Sequence, residues 1–147
     1  MRKAKILFLC TGNSARSQMA EAFLKKHGDD RFDIYSAGTE PRGIDPYTEL
    51  VMEEVGINLS GQRSKHVKEY MGKLHFGYLI TLCDEAEVSC PTTFPGIGQR
   101  LYWPFEDPSA LRRADDEKLA KFREVRDQIE QRIKAWLAEQ KAAPAAS

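Results

Sequence analysis

Strand-like and helix-like segments alternate along most of this 147-residue chain. Apolar runs predict four strands, and stretches with apolar residues at helical spacing lie between and after them. The predicted strands are 4–9, 32–36, 77–82 and 100–103, and the predicted helices are 14–26, 46–55, 66–74 and 115–140. Parallel neighbours need crossover connections, so this order predicts an α/β fold with a single-domain, four-stranded parallel open sheet and helices on both faces.

The length of the chain suits one compact unit, because 147 residues can bury a single hydrophobic core. We expect one domain over residues 1–140. The last residues, 141–147, have nothing large to bury, so we expect them to form a disordered tail.

The charge balance and the cysteine content limit which binding partners and which cellular compartment suit this chain. Lys and Arg number 22 and so do Asp and Glu, so the chain as a whole attracts neither nucleic acid nor anionic lipid. No apolar run has the length of a membrane span or the layout of a secretory signal. An odd number of cysteines, three, without an export signal predicts a reducing cytoplasm. We expect a monomer that needs no cofactor or metal ion.

The first predicted strand leads into a loop that suits an oxyanion: Cys10, Thr11, Gly12, Asn13, Ser14, Ala15, Arg16 and Ser17. Consecutive amides ahead of a helix form a concave set of donors, and Gly12 would relieve the backbone crowding. Arg16 adds a planar pair of donors, and Ser14 or Ser17 can donate a hydroxyl to the anion or the sulfur. This positive field would favour the nucleophilic thiolate of Cys10. The alternative is a core cysteine followed by an ordinary helix cap at Ser14.

The segment Cys10–Ser17, followed by Gln18–Glu21, resembles the Cys-x5-Arg-Ser/Thr phosphate loop of the low-molecular-weight protein tyrosine phosphatase fold. It is most similar to the thioredoxin-coupled arsenate reductase branch of that fold. The resemblance extends from Lys5 to about Trp136 and includes 35–38, 81–83 and 105–108. It implies an arsenate reductase in which Cys10 attacks arsenate, Arg16 holds the anion and thioredoxin is the reductant.

Cys83 and Cys90 have roles that the resemblance implies. A covalent adduct of Cys10 with arsenate would be resolved by Cys83 as a Cys10–Cys83 disulfide, and Cys90 would then form a Cys83–Cys90 disulfide that thioredoxin reduces. Two alternatives stay open: Cys83 can be an inert residue at a strand end, or the pair can bind a metal with His66 or His75. No typical metal-ligand spacing favours the metal site.

Asp107 matches the general acid of the family, which would protonate the oxygen that leaves the oxyanion. Apolar neighbours in Trp103–Phe105 would favour its protonated form. A purely structural role also stays open, because Asp-Pro is a common turn pair, and Glu106 is the second-ranked acid.

Two other functions compete with the reductase. One is a low-molecular-weight phosphotyrosine protein phosphatase that uses only Cys10, Arg16 and Asp107. Many phosphatases of this fold have a second loop cysteine near the position of Ala15 and tyrosines after the acid, and both are missing here. The other is a noncatalytic oxyanion-binding or redox-sensing protein, against which the presence of both a nucleophile and an acid argues.

Some reductases of the family hold a potassium ion near the loop, at positions that correspond to Asn13, Glu21, Ser36, Arg63 and Lys65. The first three suit a cation, but the last two do not, because a cation beside a cation is unfavourable in a weakly screened site. Our hypothesis is that a side-chain charge, such as Lys65 paired with Glu21, replaces the ion. The alternative is that both cations are solvated.

Overall fold

The computed structural model describes residues 3–28, 31–70, 72–82, 97–111 and 114–142. Its strands are β1 (Ala4–Cys10), β2 (Phe32–Gly38), β3 (Phe76–Thr81) and β4 (Ile97–Tyr102), and its helices are α1 (Arg16–His27), α2 (Pro46–Glu53) and α3 (Asp115–Ala142). Two short 3₁₀ turns cover Val67–Glu69 and Pro108–Ala110. Cys83 and Cys90 lie outside the described residues, so their predicted roles stay predictions.

The strands form one parallel sheet in the order β2-β1-β3-β4, which confirms the predicted fold class. Leu9 near the end of β1 pairs with Ala37 on one side and with Thr81 on the other. The carboxyl ends of the three strands therefore meet at one edge, with Cys10 in the middle. In open parallel sheets this edge is where ligands bind.

The two faces of the sheet are covered by different parts of the chain. The rings of Phe32 and Tyr78 lie 5.4 and 5.2 Å from that of Trp136 in α3. Tyr35 points to the opposite face because side chains alternate along a strand, and its ring lies 5.2 Å from that of Tyr70. Residues 6–9 of β1 are completely buried, as expected for the central strand of a parallel sheet.

Arg126 of α3 holds α2 in place. Its Nη1 atom donates to the carbonyl oxygen of Val51 at 3.0 Å and to the carboxylate of Glu54 at 2.9 Å. Arg123 donates to the same carboxylate. The hydrogen bond from Arg123 has the largest effect on the pKa of Glu54, and together with the bond from Arg126 it lowers that pKa to about 2. The helix anchored in this way begins beside the loop after β1.

The helix predicted over 66–74 is wrong, since the described part of that segment contains only the 3₁₀ turn Val67–Glu69. The side chain of His66 accepts a hydrogen bond from the amide of Lys68 and so caps a short turn. Gly72 then has φ +76°, a conformation that ends helical structure.

Other boundaries shift by a few residues. Helix α1 begins at Arg16 rather than residue 14, α2 ends at Glu53 rather than 55, and β4 begins at Ile97 rather than 100. Helix α3 extends to Ala142, two residues into the predicted tail, and residues 143–147 lie outside the described residues. None of the described helices is long and apolar enough to cross a membrane.

Candidate active site

The loop between β1 and α1 is held from its outer side. The carbonyl oxygens of residues 10, 11, 12 and 14 accept hydrogen bonds from the amides of residues 39, 40, 42 and 45, at distances from 2.8 to 3.3 Å. Across a trans peptide the carbonyl and the following amide point in opposite directions, so these bonds direct the loop amides inward. Such a set of amides suits a tetrahedral oxyanion.

Asn13, and not Gly12, has the left-handed conformation that the turn requires, with φ 47°. Asparagine tolerates this conformation better than most residues, and here its side chain adds two bonds to the turn. Its Nδ2 donates to Ser17 Oγ at 2.7 Å, and its Oδ1 accepts from the amide of Lys65 at 2.8 Å. Gly12 instead allows close packing, because a Cβ there would lie 3.3 Å from Cδ of Arg42.

Gly38, at the end of β2, is a supporting residue that the sequence did not reveal. A Cβ at this position would lie 2.4 Å from the carbonyl oxygen of Thr11 and 2.9 Å from the amide nitrogen of Asn13. Only glycine lets β2 approach the loop this closely. The sequence signals were a glycine just after a predicted strand and its place in the segment 35–38 of the family resemblance, and neither indicated this packing role.

The thiol of Cys10 is buried and lies 2.9 Å from the hydroxyl of Ser17. Because Ser17 Oγ already accepts a hydrogen bond from Asn13, its own proton is available to the sulfur. A hydroxyl that donates to sulfur stabilises the thiolate, which is the nucleophilic form.

Arg16 connects the loop with the segment that carries the candidate acid. Its side chain is 8% exposed, and Nη1 donates to the carbonyl oxygen of Phe105 at 3.1 Å. Its Nη2 atom lies 3.5 Å from Oδ2 of Asp107. The guanidinium therefore stands between the thiol loop and a carboxylate.

Asp107 does not lie in the apolar surroundings that the sequence suggested. Its side chain is 30% exposed, and Oδ1 accepts hydrogen bonds from the amide and the hydroxyl of Ser109 at 3.0 and 2.6 Å. Glu106 forms a different contact, 3.0 Å from Nζ of Lys121, with a side chain that is 62% exposed. Of the two candidate acids, Asp107 lines the cavity described next.

A cavity of about 330 Å³ brings most of the predicted site residues together. It is lined by Cys10, Thr11, Gly12, Ser14, Ala15, Arg16, Thr39, Glu40, Arg42 and Asp107. Asn13 and Ser17 are buried and bind each other. Sequence reasoning missed the contribution of residues 39–42, because no motif marks them and only the folded chain brings them to the loop.

A buried ammonium group stands beside the loop. Lys65 is 7% exposed, and its Nζ atom donates to the carbonyl oxygen of Arg63 at 2.6 Å and to Ser36 Oγ at 3.4 Å. It lies 3.9 Å from Oε1 of Glu21, which also accepts a hydrogen bond from Ser36. Burial lowers the pKa of Lys65, and the charge of Glu21 opposes this effect.

These residues do not fit a potassium ion. The oxygen atoms of Glu21, Ser36 and Arg63 that would bind the ion surround the ammonium group of Lys65. The side chain of Arg63 is exposed and forms a bidentate ion pair with Glu69. The hypothesis that Lys65 supplies the positive charge therefore agrees with the structure better than solvation of both cations.

We expect unfolding of the wild-type protein by urea to be equal in sodium and potassium chloride. Lys65→Ala should lower the free energy of unfolding by about 3 kcal/mol in sodium, because it leaves the buried Glu21 without this cation. Potassium should restore part of that loss by binding only the folded variant. Lys25→Ala is the control, since Lys25 binds the same carboxylate from a half-exposed position. A wild-type protein that is stabilised by potassium would contradict this account.

Comparison with known proteins identifies the low molecular weight phosphotyrosine protein phosphatase family and arsenate reductases as relatives of this chain. The family profile described as low molecular weight phosphotyrosine protein phosphatase matches residues 5–145. An arsenate reductase of Halalkalibacterium halodurans is 45% identical over 137 residues, which are 92% of this chain and 96% of the relative. A solved arsenate reductase in the phosphate-binding state has a TM-score of 0.77 and 34% identity, and the match covers 92% of this chain and 98% of that one. A thioredoxin-dependent arsenate reductase of Corynebacterium glutamicum has a TM-score of 0.67 and 27% identity, over 96% of this chain and 64% of that one.

Proposed function

This chain belongs to the low molecular weight phosphotyrosine protein phosphatase family, and on that premise we propose that it is an arsenate reductase, which converts arsenate to arsenite. One observation carries the proposal: a buried Cys10 thiol beside Ser17, at an oxyanion cavity, in a chain 45% identical to an arsenate reductase. The two further cysteines supply the electrons that a phosphatase does not need.

In the first proposed step the Cys10 thiolate attacks the arsenic atom of bound arsenate. A sulfur–arsenic bond forms and the bond from arsenic to its hydroxyl group breaks, while the departing hydroxyl group takes a proton from Asp107 and leaves as water. Arg16 and the loop amides bind the remaining oxygens and stabilise the charge that develops on them. Arsenic keeps its oxidation state of five in this step.

Reduction follows when a second thiolate attacks the sulfur of Cys10. A disulfide forms with Cys83, the sulfur–arsenic bond breaks, and arsenic keeps the electron pair and leaves as arsenite. The amide of Leu82 donates to the carbonyl oxygen of Leu9 at 2.9 Å, so the chain just before Cys83 lies beside the end of β1, which supports Cys83 as the attacking thiol. Cys90 then attacks Cys83, and this exchange frees Cys10 and leaves a Cys83–Cys90 disulfide.

We propose that the dithiol of thioredoxin reduces this disulfide and completes the cycle. The similar reductase of Corynebacterium glutamicum is described as thioredoxin-dependent, which supports a thioredoxin partner here. A dithiol reductant operates in a reducing compartment, so the proposal places the protein in the cytoplasm. Some hydrolysis of aryl phosphates is also expected, because the loop and the acid serve both reactions.

The function is tested by following NADPH consumption with arsenate, thioredoxin and thioredoxin reductase. The wild-type protein should couple arsenate to NADPH, whereas Cys83→Ser and Cys90→Ser should not turn over repeatedly. A single-turnover assay separates the two variants: Cys90→Ser should release one arsenite per protein and form a Cys10–Cys83 disulfide, and Cys83→Ser should release none. If all three proteins hydrolyse aryl phosphate well and none couples arsenate to NADPH, the protein is a phosphatase.

Replacement of the acid should slow the first step. We expect Asp107→Asn to lower the turnover of arsenate by about 10² to 10³-fold, because the amide that replaces the carboxyl group cannot act as a general acid toward the departing oxygen. Glu106→Gln is the matched control and should keep nearly wild-type turnover, since Glu106 binds Lys121 instead. Initial rates with saturating thioredoxin measure both variants, and an equal loss in both would remove Asp107 from this role.

A further inference from the structure

The wall of the cavity formed by residues 39–42 is hydrogen-bonded to the oxyanion loop. Three of its amides donate to loop carbonyl oxygens, at distances from 2.8 to 3.3 Å. The backbone that carries the side chains of this wall is therefore held beside the loop that would bind the anion. No step of the proposed reaction uses the side chains of residues 39–42.

Arg42 brings a second guanidinium to the cavity. It belongs to the cavity lining, and its Cδ atom packs over Gly12, where a Cβ would lie 3.3 Å away. Its side chain is 60% exposed, whereas that of Arg16 is 8% exposed. The two arginines therefore differ in depth, with Arg16 in the interior and Arg42 at the mouth.

Glu40 is the ionic partner of Arg42 at the mouth. Its Oε2 atom lies 3.7 Å from Nη2 of Arg42, and its side chain is 74% exposed. An ion pair between such exposed side chains contributes little free energy. A dianion that enters the cavity can therefore replace Glu40 as the partner of the guanidinium. The carboxylate itself repels the dianion. The two side chains thus act on an oxyanion with opposite signs.

The lining of the cavity favours a small, polar ligand. Among the described residues that form it, none is aromatic and none is a large aliphatic residue. An aryl phosphate would have to place its ring against Glu40 and Arg42 and remove water from them without replacing their hydrogen bonds, which costs free energy. A free inorganic oxyanion carries no ring and avoids this cost.

We propose that Arg42 is a second oxyanion-binding residue, which acts at the mouth of the cavity and selects small inorganic oxyanions over aryl phosphate esters. Glu40 opposes it and limits the affinity. The identity of arsenate as the physiological ligand of Arg42 rests on the proposed function. The binding of an oxyanion, however, can be measured without any turnover.

The binding test uses inorganic phosphate and calorimetry in a Cys10→Ser background, so that no covalent adduct forms. Arg42→Gln should raise the dissociation constant about tenfold, as expected for one charge-assisted contact. Glu40→Gln should lower it about threefold, and added salt should weaken binding less in the Arg42 variant than in the parent. Arg31→Gln is the matched control, because Arg31 precedes β2 at the opposite end of the strand from Cys10. Equal affinity in the Arg42 and Arg31 variants would overturn the proposal.

The selectivity test uses Arg42→Tyr in the protein with Cys10 intact. The ring should lower KM for p-nitrophenyl phosphate and raise KM for arsenate, each about fivefold, with smaller changes in kcat. A parallel change in both KM values would overturn the claim of selectivity. The two proposals can fail separately: a protein that does not couple arsenate to thioredoxin loses the proposed function, while the phosphate affinities of the variants still decide the role of Arg42.

Discussion

Cys10→Ser should abolish the reduction of arsenate and lower aryl phosphate hydrolysis by about 10⁴-fold or more. A serine hydroxyl in this position stays protonated, whereas a Cys10 thiolate is stabilised by a hydrogen bond from the Ser17 hydroxyl, which lies 2.9 Å from the sulfur. Serine also cannot form the disulfide that gives arsenic its two electrons. Arsenite release, thioredoxin oxidation and p-nitrophenol release measure these losses separately.

The variant should still fold and bind phosphate, because the loop is held by backbone bonds and by Asn13 rather than by the sulfur. An unchanged thermal unfolding midpoint and measurable phosphate binding are therefore the controls. Arsenite release above background by a folded Cys10→Ser protein would show that another thiol is the nucleophile.

Arg16→Lys should lower kcat/KM for arsenate by about 10² to 10³-fold. The planar guanidinium can bind two oxygens of the anion at once, and it also holds the acid segment through the carbonyl oxygen of Phe105 and the carboxylate of Asp107. A lysine keeps the charge but offers one ammonium group, which cannot form these contacts together. The expected loss of kcat/KM therefore reflects the planar geometry of the guanidinium and not its charge.

Steady-state kinetics with arsenate and with p-nitrophenyl phosphate should show this loss for both substrates, because the residue binds the oxygens that they share. Arg31→Lys, the same substitution just before β2 and at the opposite end of that strand from Cys10, should leave kcat/KM unchanged. A kcat/KM within about threefold of wild type for Arg16→Lys would mean that charge alone is sufficient at this position.

The anion loop was predictable from the sequence because its features are local. An apolar strand, a cysteine, a run of small and polar residues, an arginine and the start of a predicted helix all lie within a few positions of one another. The fold class was predictable for a similar reason, since alternation of strands and helices restricts the sheet to parallel neighbours. The comparisons support the same family.

Prediction of the helices failed where a short-range cap or a contact from a distant segment competes with the helical preference. The segment 66–74 has a weak helical pattern, but the cap at His66 and the left-handed Gly72 limit it to one 3₁₀ turn. Helix α1 begins two residues late because the carbonyl oxygen of Ser14 accepts hydrogen bonds from Asp45 and Thr48. These partners come from α2 and the residue before it, and the sequence gives no direct sign of that contact.

By itself the sequence determined the parallel sheet and predicted Cys10 as the nucleophile and Arg16 as the anion-binding residue, because each depends on residues that are neighbours along the chain. Only the tertiary structure decided which residue takes the left-handed turn, where the charge of Lys65 lies and which acid lines the cavity. It also brought Glu40 and Arg42 to the mouth of the cavity. These features depend on distances between segments that are far apart in sequence, and packing sets those distances.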